Sequence, residues 1–286
     1  MKEKQFETVH DFERILQSAL HRAYTIHEAL GSRGEELVQK NQFGETALRI
    51  DIEAEEAVLD FLKESGIPIR VISEEHGKVE IVPSPVYLGI LDGLDGSNRY
   101  QAGRGKERYG TMLGIFSNID PVYGDYVTSG IMEHSTGKLF VTEKGVGSFL
   151  LDAQGGRIPL HASEQNILSE RTRIYMNGHF DVCHRVFSEK LRQFKITDPR
   201  AYATYFSDLA SGKVDLILTC TAKNNLEPAI GYGFVAEAGG VMVDLNGESL
   251  QDKKYFEFGQ HEELPIIIAS TEALARDFIR HIRDSI

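Results

Sequence analysis

The sequence contains no tryptophan and only two cysteines, Cys183 and Cys220, which lie far apart and form no CxxC pair. A disulfide framework or a zinc site built on cysteines needs more of them at closer spacing, so we expect two buried thiols. Among the histidines, His76, His134 and His179 show no spacing typical of metal ligands. A metal site rich in oxygen ligands does not need these histidines.

Long apolar runs are also missing. No stretch approaches the roughly 18 residues that a membrane span requires, and the polar N-terminus lacks the apolar centre of a secretory signal. Basic residues are in the minority, with 31 Lys and Arg against 43 Asp and Glu and a formal net charge of −12. This balance disfavours nucleic-acid binding, which needs a basic surface. We therefore expect a cytoplasmic protein with a small-molecule partner, and neither a membrane nor a nucleic acid as partner.

The hydrophobic pattern predicts a mixed fold. Apolar residues at helical spacing predict helices over 11–30 and 52–65, with buried strands at 69–73 and 86–91 and an antiparallel meander over 111–160. After residue 160 we expect helices over 181–194, 201–212, 228–240 and 271–284 and strands at 214–219, 240–244 and 265–270. The pattern indicates an α+β or layered α/β architecture with a soft boundary near 155–165, which divides the chain into 1–160 and 161–286.

Acidic residues recur where predicted strands end and helices begin. In "LDGLDGS", residues 91–97, Asp92 and Asp95 follow a buried strand three residues apart, so both side chains and the Leu94 carbonyl can face one point. Hard cations such as Mg²⁺ prefer such oxygen ligands. Gly96 and Ser97 then offer backbone N–H groups at a helix start, which is a favoured place for a phosphate. The other acids in comparable positions are Asp51, Glu74, Glu75 and Glu227.

Each of these acids also has an ordinary structural explanation. Asp-Gly is a common turn pair, and adjacent glutamates are usually solvated. Asp51 is an unremarkable acid in a first helical turn, and Glu227 could be a helix N-cap, with Pro228 as the first helical residue. The joint order of the acids, rather than any one of them, favours metal-assisted phosphoryl transfer to water.

Taken together, these stretches resemble the inositol monophosphatase / fructose-1,6-bisphosphatase superfamily of Mg²⁺-dependent, often lithium-sensitive phosphatases. The resemblance runs in the family's order from about residue 12 to the C-terminus. It rests on "ALRIDIEAEEAVL" (47–59), "SEEH" (73–76), "DGLDGS" (92–97), "LASGKVDL" (209–216) and "LEPAIGYGFVAEAGG" (226–240). It implies an α+β fold, built as a layered α-β-α-β-α sandwich, and a homodimer.

The resemblance also implies roles for individual residues. Ser97 and Asp51, together with Glu74, would activate the attacking water, and the N–H groups of Gly96 and Ser97 would hold the phosphate. Lys40, at the family's basic position before Asp51, would lie near the metals. The implied metal ligands are Glu74, Asp92, Asp95, Glu227 and the backbone carbonyl of Leu94. The implied cofactor is two or three Mg²⁺ ions, which Mn²⁺ can replace, with Li⁺ as an inhibitor.

The sequence departs from the family pattern at three places. Gly93 replaces a proline, which we expect to loosen the turn, and Leu226-Glu227 replaces a Trp-Asp pair. Glutamate is one methylene longer than aspartate, so its metal would shift or bind more weakly. Arg200, in "PRAYAT", occupies a place where the family has Gly-Ser or Gly-Thr. Arg200 is either a substrate contact or a solvated residue at a helix start.

These observations predict a Mg²⁺-dependent phosphomonoesterase that acts on a small polyol or sugar phosphate. Inositol monophosphate is the first candidate substrate and fructose 1,6-bisphosphate the second. One alternative of the same fold is a nucleotide 3′-phosphatase that acts on 3′,5′-bisphosphates. Another is a catalytically weak binding or regulatory protein, which the altered Leu226-Glu227 element motivates.

Overall fold

The computed structural model describes residues 9–104 and 106–284. The helices are α1 (Val9–Leu30), α2 (Arg49–Ser65), α3 (Ser97–Ala102), α4 (Asp181–Cys183), α5 (Tyr202–Ala210), α6 (Leu226–Glu237) and α7 (Glu272–Asp284). The strands up to residue 160 are β1 (Leu37–Lys40), β2 (Thr46–Leu48), β3 (Ile69–Ser73), β4 (Gly77–Glu80), β5 (Tyr87–Asp95), β6 (Gly110–Phe116), β7 (Tyr126–Glu133), β8 (Lys138–Glu143), β9 (Gly147–Leu151) and β10 (Arg157–Leu160). The later strands are β11 (Ile174–Met176), β12 (Ile196–Thr197), β13 (Leu216–Cys220), β14 (Val241–Asp244) and β15 (Pro265–Ala269).

The strands form two large sheets and a hairpin. The eight-stranded sheet has the order β10-β9-β8-β7-β6-β5-β3-β4, in which β3 and β5 are parallel and the other neighbours antiparallel. The five-stranded sheet has the order β12-β11-β13-β15-β14, and β1 pairs with β2 alone. The meander expected over 111–160 is confirmed by β6 to β10.

Helices cover both faces of both large sheets. Helices α1 and α2 pack on one face of the eight-stranded sheet, and α5 and α6 fill the core between the two sheets. Helices α4 and α7 cover the far face of the five-stranded sheet. The predicted layered α-β-α-β-α sandwich is confirmed. Helices α5 and α6 contribute to one core that both sheets share. The division of the chain into 1–160 and 161–286 stays a prediction.

Helix α2 shows how the sequence pattern places an element. Ile50, Ala54, Val58 and Leu62 are buried at helical spacing, and the helix ends at Gly66, whose φ of 67° is left-handed. Strand β5 lies between α2 on one face of the sheet and α6 on the other. It is therefore buried along nearly its whole length, as its continuous apolar sequence requires.

One predicted helix is largely wrong. Only Asp181–Cys183 of the stretch 181–194 is α-helical, and a π-helical turn over His184–Ser188 follows it. The buried residues Cys183, Phe187 and Leu191 recur every four positions, and the wider π turn keeps such a spacing on one face. Cys183 and Cys220 are buried free thiols, as expected. None of the helices in the described residues is long and apolar enough to cross a membrane.

Candidate active site

Three buried carboxylates converge where β5 ends and α6 begins. Asp92, Asp95 and Glu227 each offer an oxygen, and these oxygens lie within 4.8 Å of one another. The residues are only 2%, 6% and 8% exposed. Three like charges in a buried place repel one another strongly unless a cation offsets them. The all-oxygen set of donors fits Mg²⁺, so the described residues fit the metal that the family resemblance implies.

A bulge in β5 brings the two aspartates together. Asp92 pairs with Met112 and Asp95 pairs with Gly110, so two residues of β5 oppose one residue of β6. Such a bulge bends the strand and redirects its side chains. The Leu94 N–H donates to Asp92 Oδ1 at 3.0 Å, which closes the turn around the first aspartate.

Gly93, inside the bulge, does not loosen the turn as we expected. A Cβ at this position would lie 2.4 Å from the Asp51 carbonyl oxygen and 2.6 Å from Glu55 Cγ. Its backbone is therefore packed directly against α2. The glycine allows this close approach, which ties the bulge to the helix that carries Asp51.

Asp95 also holds the start of α5. Its Oδ1 accepts a hydrogen bond from the Tyr202 N–H at 2.9 Å, and its Oδ2 accepts one from the Ala203 N–H at 2.7 Å. These two amides belong to the first turn of the helix and have no partner within it. Asp95 therefore acts as an N-terminal cap that another element supplies.

Glu227 is the second residue of α6, not its N-cap. The helix begins at Leu226, and Asn225, with a left-handed φ of 56°, is the N-cap. Asn225 is held in place because its Oδ1 accepts the Ala222 N–H at 3.0 Å. The N-cap interpretation of Glu227 is therefore wrong, and its longer side chain still reaches Asp92 and Asp95.

Ser97 and Asp51 form the expected pair. The Ser97 hydroxyl lies 3.1 Å from Asp51 Oδ1 and 3.1 Å from the Leu94 carbonyl oxygen, so its proton can be donated to either. Asp51 Oδ2 accepts the Leu48 N–H at 2.7 Å. Burial raises the pKa of Asp51 to about 8, although the hydrogen bonds from Leu48 and Ser97 oppose this shift. Asp51 is thus suited to take up a proton near neutral pH.

The turn after β3 is held by Glu55, a residue that sequence reasoning missed. Glu55 is fully buried. Its carboxylate accepts hydrogen bonds from Ser73 Oγ at 2.6 Å, from the N–H groups of Glu74 at 3.0 Å and Glu75 at 3.1 Å, and from His76 Nδ1 at 2.8 Å. This carboxylate fixes the backbone that presents the two glutamates.

A signal for Glu55 exists in the sequence. Glu55 follows Asp51 by four residues and precedes Val58 by three, which places it on the buried face of α2. An acid on the apolar face of an amphipathic helix is rarely buried without a partner. The pattern therefore marks Glu55 as a residue with a specific polar task.

The predicted ligand Glu74 and its neighbour Glu75 both act on Asp51. Each adds repulsion that raises the pKa of Asp51, and Glu75 has the larger effect. Asn41 Nδ2 donates to Glu75 Oε1 at 3.3 Å, so the hairpin of β1 and β2 contacts this turn through Asn41. The side chain of Lys40, one residue earlier, is exposed. The role of Lys40 near the metals stays a prediction.

Gly96 packs against Ala201, the residue that follows Arg200 in the chain. Gly96, with a left-handed φ of 88°, precedes α3, whose first residue is Ser97. A Cβ on Gly96 would lie 3.1 Å from the Cβ of Ala201, the residue after Arg200. The Arg200 side chain is exposed, with its Nε 3.8 Å from Asp198 Oδ2, and its φ is 57°. Arg200 is thus next in sequence to a residue that packs against Gly96. Its contact with substrate stays a prediction.

Comparison with known proteins identifies the family. The model of the Inositol monophosphatase family matches residues 3–286. The chain belongs to the inositol monophosphatase family. Inositol-1-monophosphatase of Aeropyrum pernix is 26% identical over 240 residues, which cover 82% of this chain and 84% of that protein. The relatives of this family member thus include phosphoric monoester hydrolases.

Fructose-1,6-bisphosphatases are among the relatives of this family member as well. Fructose-1,6-bisphosphatase class 1 of Sorangium cellulosum is 27% identical over 308 residues, covering 94% of this chain and 84% of that protein. The enzyme of the same name from Synechocystis is 26% identical over 171 residues, and this match spans 52% of this chain and 48% of that protein. The inositol monophosphatase family member described here is therefore similar to both kinds of phosphatase.

Solved structures show the same fold. The extragenic suppressor protein suhB of Bartonella henselae gives a TM-score of 0.76 at 20% identity, over 96% of this chain and 99% of that chain. An IMPase/NADP phosphatase complexed with Mg²⁺ and phosphate gives a TM-score of 0.74 at 16% identity, over 96% of each chain. At these identities the likeness shows that this family member shares the fold.

Proposed function

We propose that this protein hydrolyses the phosphate monoester of a small polyol or sugar in a Mg²⁺-dependent reaction. Inositol monophosphate is the first candidate substrate and fructose 1,6-bisphosphate the second. The observation that supports the proposal is the convergence of Asp92, Asp95 and Glu227 beside the Ser97–Asp51 pair. The relatives named inositol-1-monophosphatase and fructose-1,6-bisphosphatase support the same class of substrate.

One set of residues would bind the metal ion. Asp92, Asp95, Glu227, the Leu94 carbonyl and Glu74 from the neighbouring turn would hold the metal. When bound, Mg²⁺ supplies Lewis-acid activation of water and offsets charge on the phosphoryl group. The burial of Asp92, Asp95 and Glu227 limits the screening of their charges by solvent.

Proton transfer falls to Ser97 and Asp51. The Ser97 oxygen can take a proton from the attacking water only if its own proton moves to an acceptor, and Asp51 Oδ1 lies 3.1 Å away. The raised pKa of Asp51, about 8, makes its ionised form a stronger base than an ordinary carboxylate. The backbone N–H groups of Gly96 and Ser97 would donate to the phosphate oxygens. No covalent intermediate with the protein is required.

Finer features follow from the same proposal. We expect two or three Mg²⁺ ions per site, replacement by Mn²⁺, and inhibition by Li⁺. The exposed side chain of Lys40 would lie near the metals, and the exposed side chain of Arg200 would contact the substrate. The protein would work in the cytoplasm as a homodimer.

Phosphate release from a panel of substrates tests the proposal. The panel contains inositol 1-phosphate, fructose 1,6-bisphosphate and a nucleoside 3′,5′-bisphosphate, each over a range of Mg²⁺ and Mn²⁺ concentrations. Asp92→Asn should lower kcat by about 10²-fold or more. Asp60→Asn, the same change at an exposed residue of α2, should leave kcat unchanged. If no substrate turns over with either metal, the protein is a binding or regulatory member of the family instead.

A further inference from the structure

The carbonyl of Gly93 depends on a side chain for its hydrogen bond. Two residues of β5, Gly93 and Leu94, oppose Thr111 alone, so the bulge interrupts the ladder between β5 and β6 here. The Thr111 hydroxyl is fully buried and donates to the Gly93 oxygen at 2.7 Å. It therefore supplies the partner that this buried carbonyl requires.

His134 lies behind Thr111 and is oriented by it. His134 Nε2 is 3.0 Å from Thr111 Oγ1. The hydroxyl has one proton, which it donates to Gly93, so it can only accept from His134. Nε2 therefore carries the ring proton, and a chain of two hydrogen bonds runs from the imidazole through Thr111 to Gly93.

The surroundings of His134 are unusual for a residue that only packs. The ring is buried, with its centroid 4.5 Å from that of His27 and 5.7 Å from that of Tyr24. Its Nδ1 has no hydrogen-bond partner among residues 9–104 and 106–284. Burial, and then the neighbouring His27, hold the pKa of His134 well below its usual value, so the ring is neutral. Burying an unpartnered polar atom costs free energy that an apolar side chain would avoid, which favours a specific role for the hydrogen bond from Nε2.

We propose that His134 is a positioning residue that acts through Thr111 to hold the Gly93 peptide, and with it the metal-binding bulge of Asp92 to Asp95. Gly93 has no side chain of its own that could restrain the peptide, and rotation of that peptide would move the Leu94 N–H away from Asp92 Oδ1. The proposal rests on the proposed function, since it assigns the bulge to metal binding. Outer hydrogen-bond partners of metal ligands commonly change metal affinity by about 10- to 100-fold.

The test measures Mn²⁺ binding without substrate, by calorimetry or by the electron paramagnetic resonance of free Mn²⁺. His134→Leu removes the donor and Thr111→Val removes the hydroxyl, and each should weaken Mn²⁺ binding by about 10-fold or more. His134→Gln and Thr111→Ser keep a donor and a hydroxyl and should stay within about 3-fold of the wild-type protein. Because the two groups act in series, the double variant His134→Leu/Thr111→Val should bind no worse than Thr111→Val alone.

A control separates positioning from stability. Ile131→Val truncates a fully buried residue of β7, the strand that ends one residue before His134. It should lower stability without changing Mn²⁺ affinity. Equal Mn²⁺ affinity in His134→Leu and in the wild-type protein would overturn this inference but not the proposed function. The same holds if Ile131→Val weakens Mn²⁺ binding as much as His134→Leu does. A wild-type protein that binds no Mn²⁺ would overturn the inference and the proposed function together.

Discussion

Gly93→Ala tests how closely the bulge of Asp92 to Asp95 fits against α2. The new Cβ would lie 2.4 Å from the Asp51 carbonyl oxygen and 2.6 Å from Glu55 Cγ, whereas such contacts in proteins are essentially never under 3.0 Å. The distance to the Asp51 oxygen must therefore open by about 0.6 Å. The Glu55 side chain can adjust a little, but the Asp51 oxygen is helix backbone and cannot rotate away. The bulge itself has to move.

The size of this movement sets the expected effect. An extra methyl group forced into a packed core lowers the free energy of unfolding by about 1–3 kcal/mol. A misplacement of about 1 Å in an active site costs about 10²-fold in rate. For Gly93→Ala we therefore expect a loss of roughly 10- to 100-fold in kcat. Urea unfolding measures the first effect, and phosphate release at saturating Mg²⁺ measures the second.

Gly89→Ala is the matched control on the same strand. Its Cβ would meet Ile69 Cδ1 at 3.0 Å and Val71 Cγ2 at 3.2 Å, which are the ends of side chains. These ends need to give by only a few tenths of an ångström, so we expect a loss near the lower end of about 1–3 kcal/mol and an unchanged kcat. Gly93→Ala with wild-type kcat and stability would refute the reasoning, and so would equal losses in the two variants.

Three further changes test separate parts of the structure. Ser97→Ala should lower kcat by about 10²-fold and leave Mn²⁺ affinity within a few fold; an unchanged kcat would remove Ser97 from the proton path. Burial opposes the ionisation of Asp215, but hydrogen bonds from Arg173 outweigh it and lower the pKa of Asp215 below 3.8. The resulting stabilisation is present above pH 3.8 and is lost as the pH falls through the folded-state pKa. Urea unfolding in acid should show a larger loss for the wild-type protein than for Asp215→Asn, and equal losses would refute this role of Asp215. Arg200→Gly suits the φ of 57° and should keep the free energy of unfolding within about 1 kcal/mol, while KM rises about tenfold if the guanidinium binds substrate; an unchanged KM would exclude that contact.

Elements with a strong local pattern could be predicted from the sequence. The helix predicted over 52–65 exists as α2, because its apolar residues recur at helical spacing over four turns. The strand at 69–73 and the acids after it also lie where the pattern places them. Ser97 and Asp51 could be paired through the resemblance to the family, and the structure places them within hydrogen-bond distance.

Contacts between distant segments could not be predicted in this way. Nothing in the sequence near Asp95 indicates that its oxygens hold the amides of Tyr202 and Ala203. The same is true of Thr111 and the Gly93 carbonyl, since the bulge that pairs them depends on strand register. Local pattern failed at 181–194 because a spacing of four residues satisfies a π turn as well as an α-helix.

Asp95 belongs both to the group of three acids and to the contacts that hold α5 between the sheets. Its two oxygens anchor the first turn of α5, which lies between the sheets, and the same carboxylate belongs to the acidic group at the end of β5. A substitution of Asp95 would therefore also leave the two amides at the start of α5 without their partner. Redesign of the metal site that we propose here must therefore re-anchor α5 at the same time.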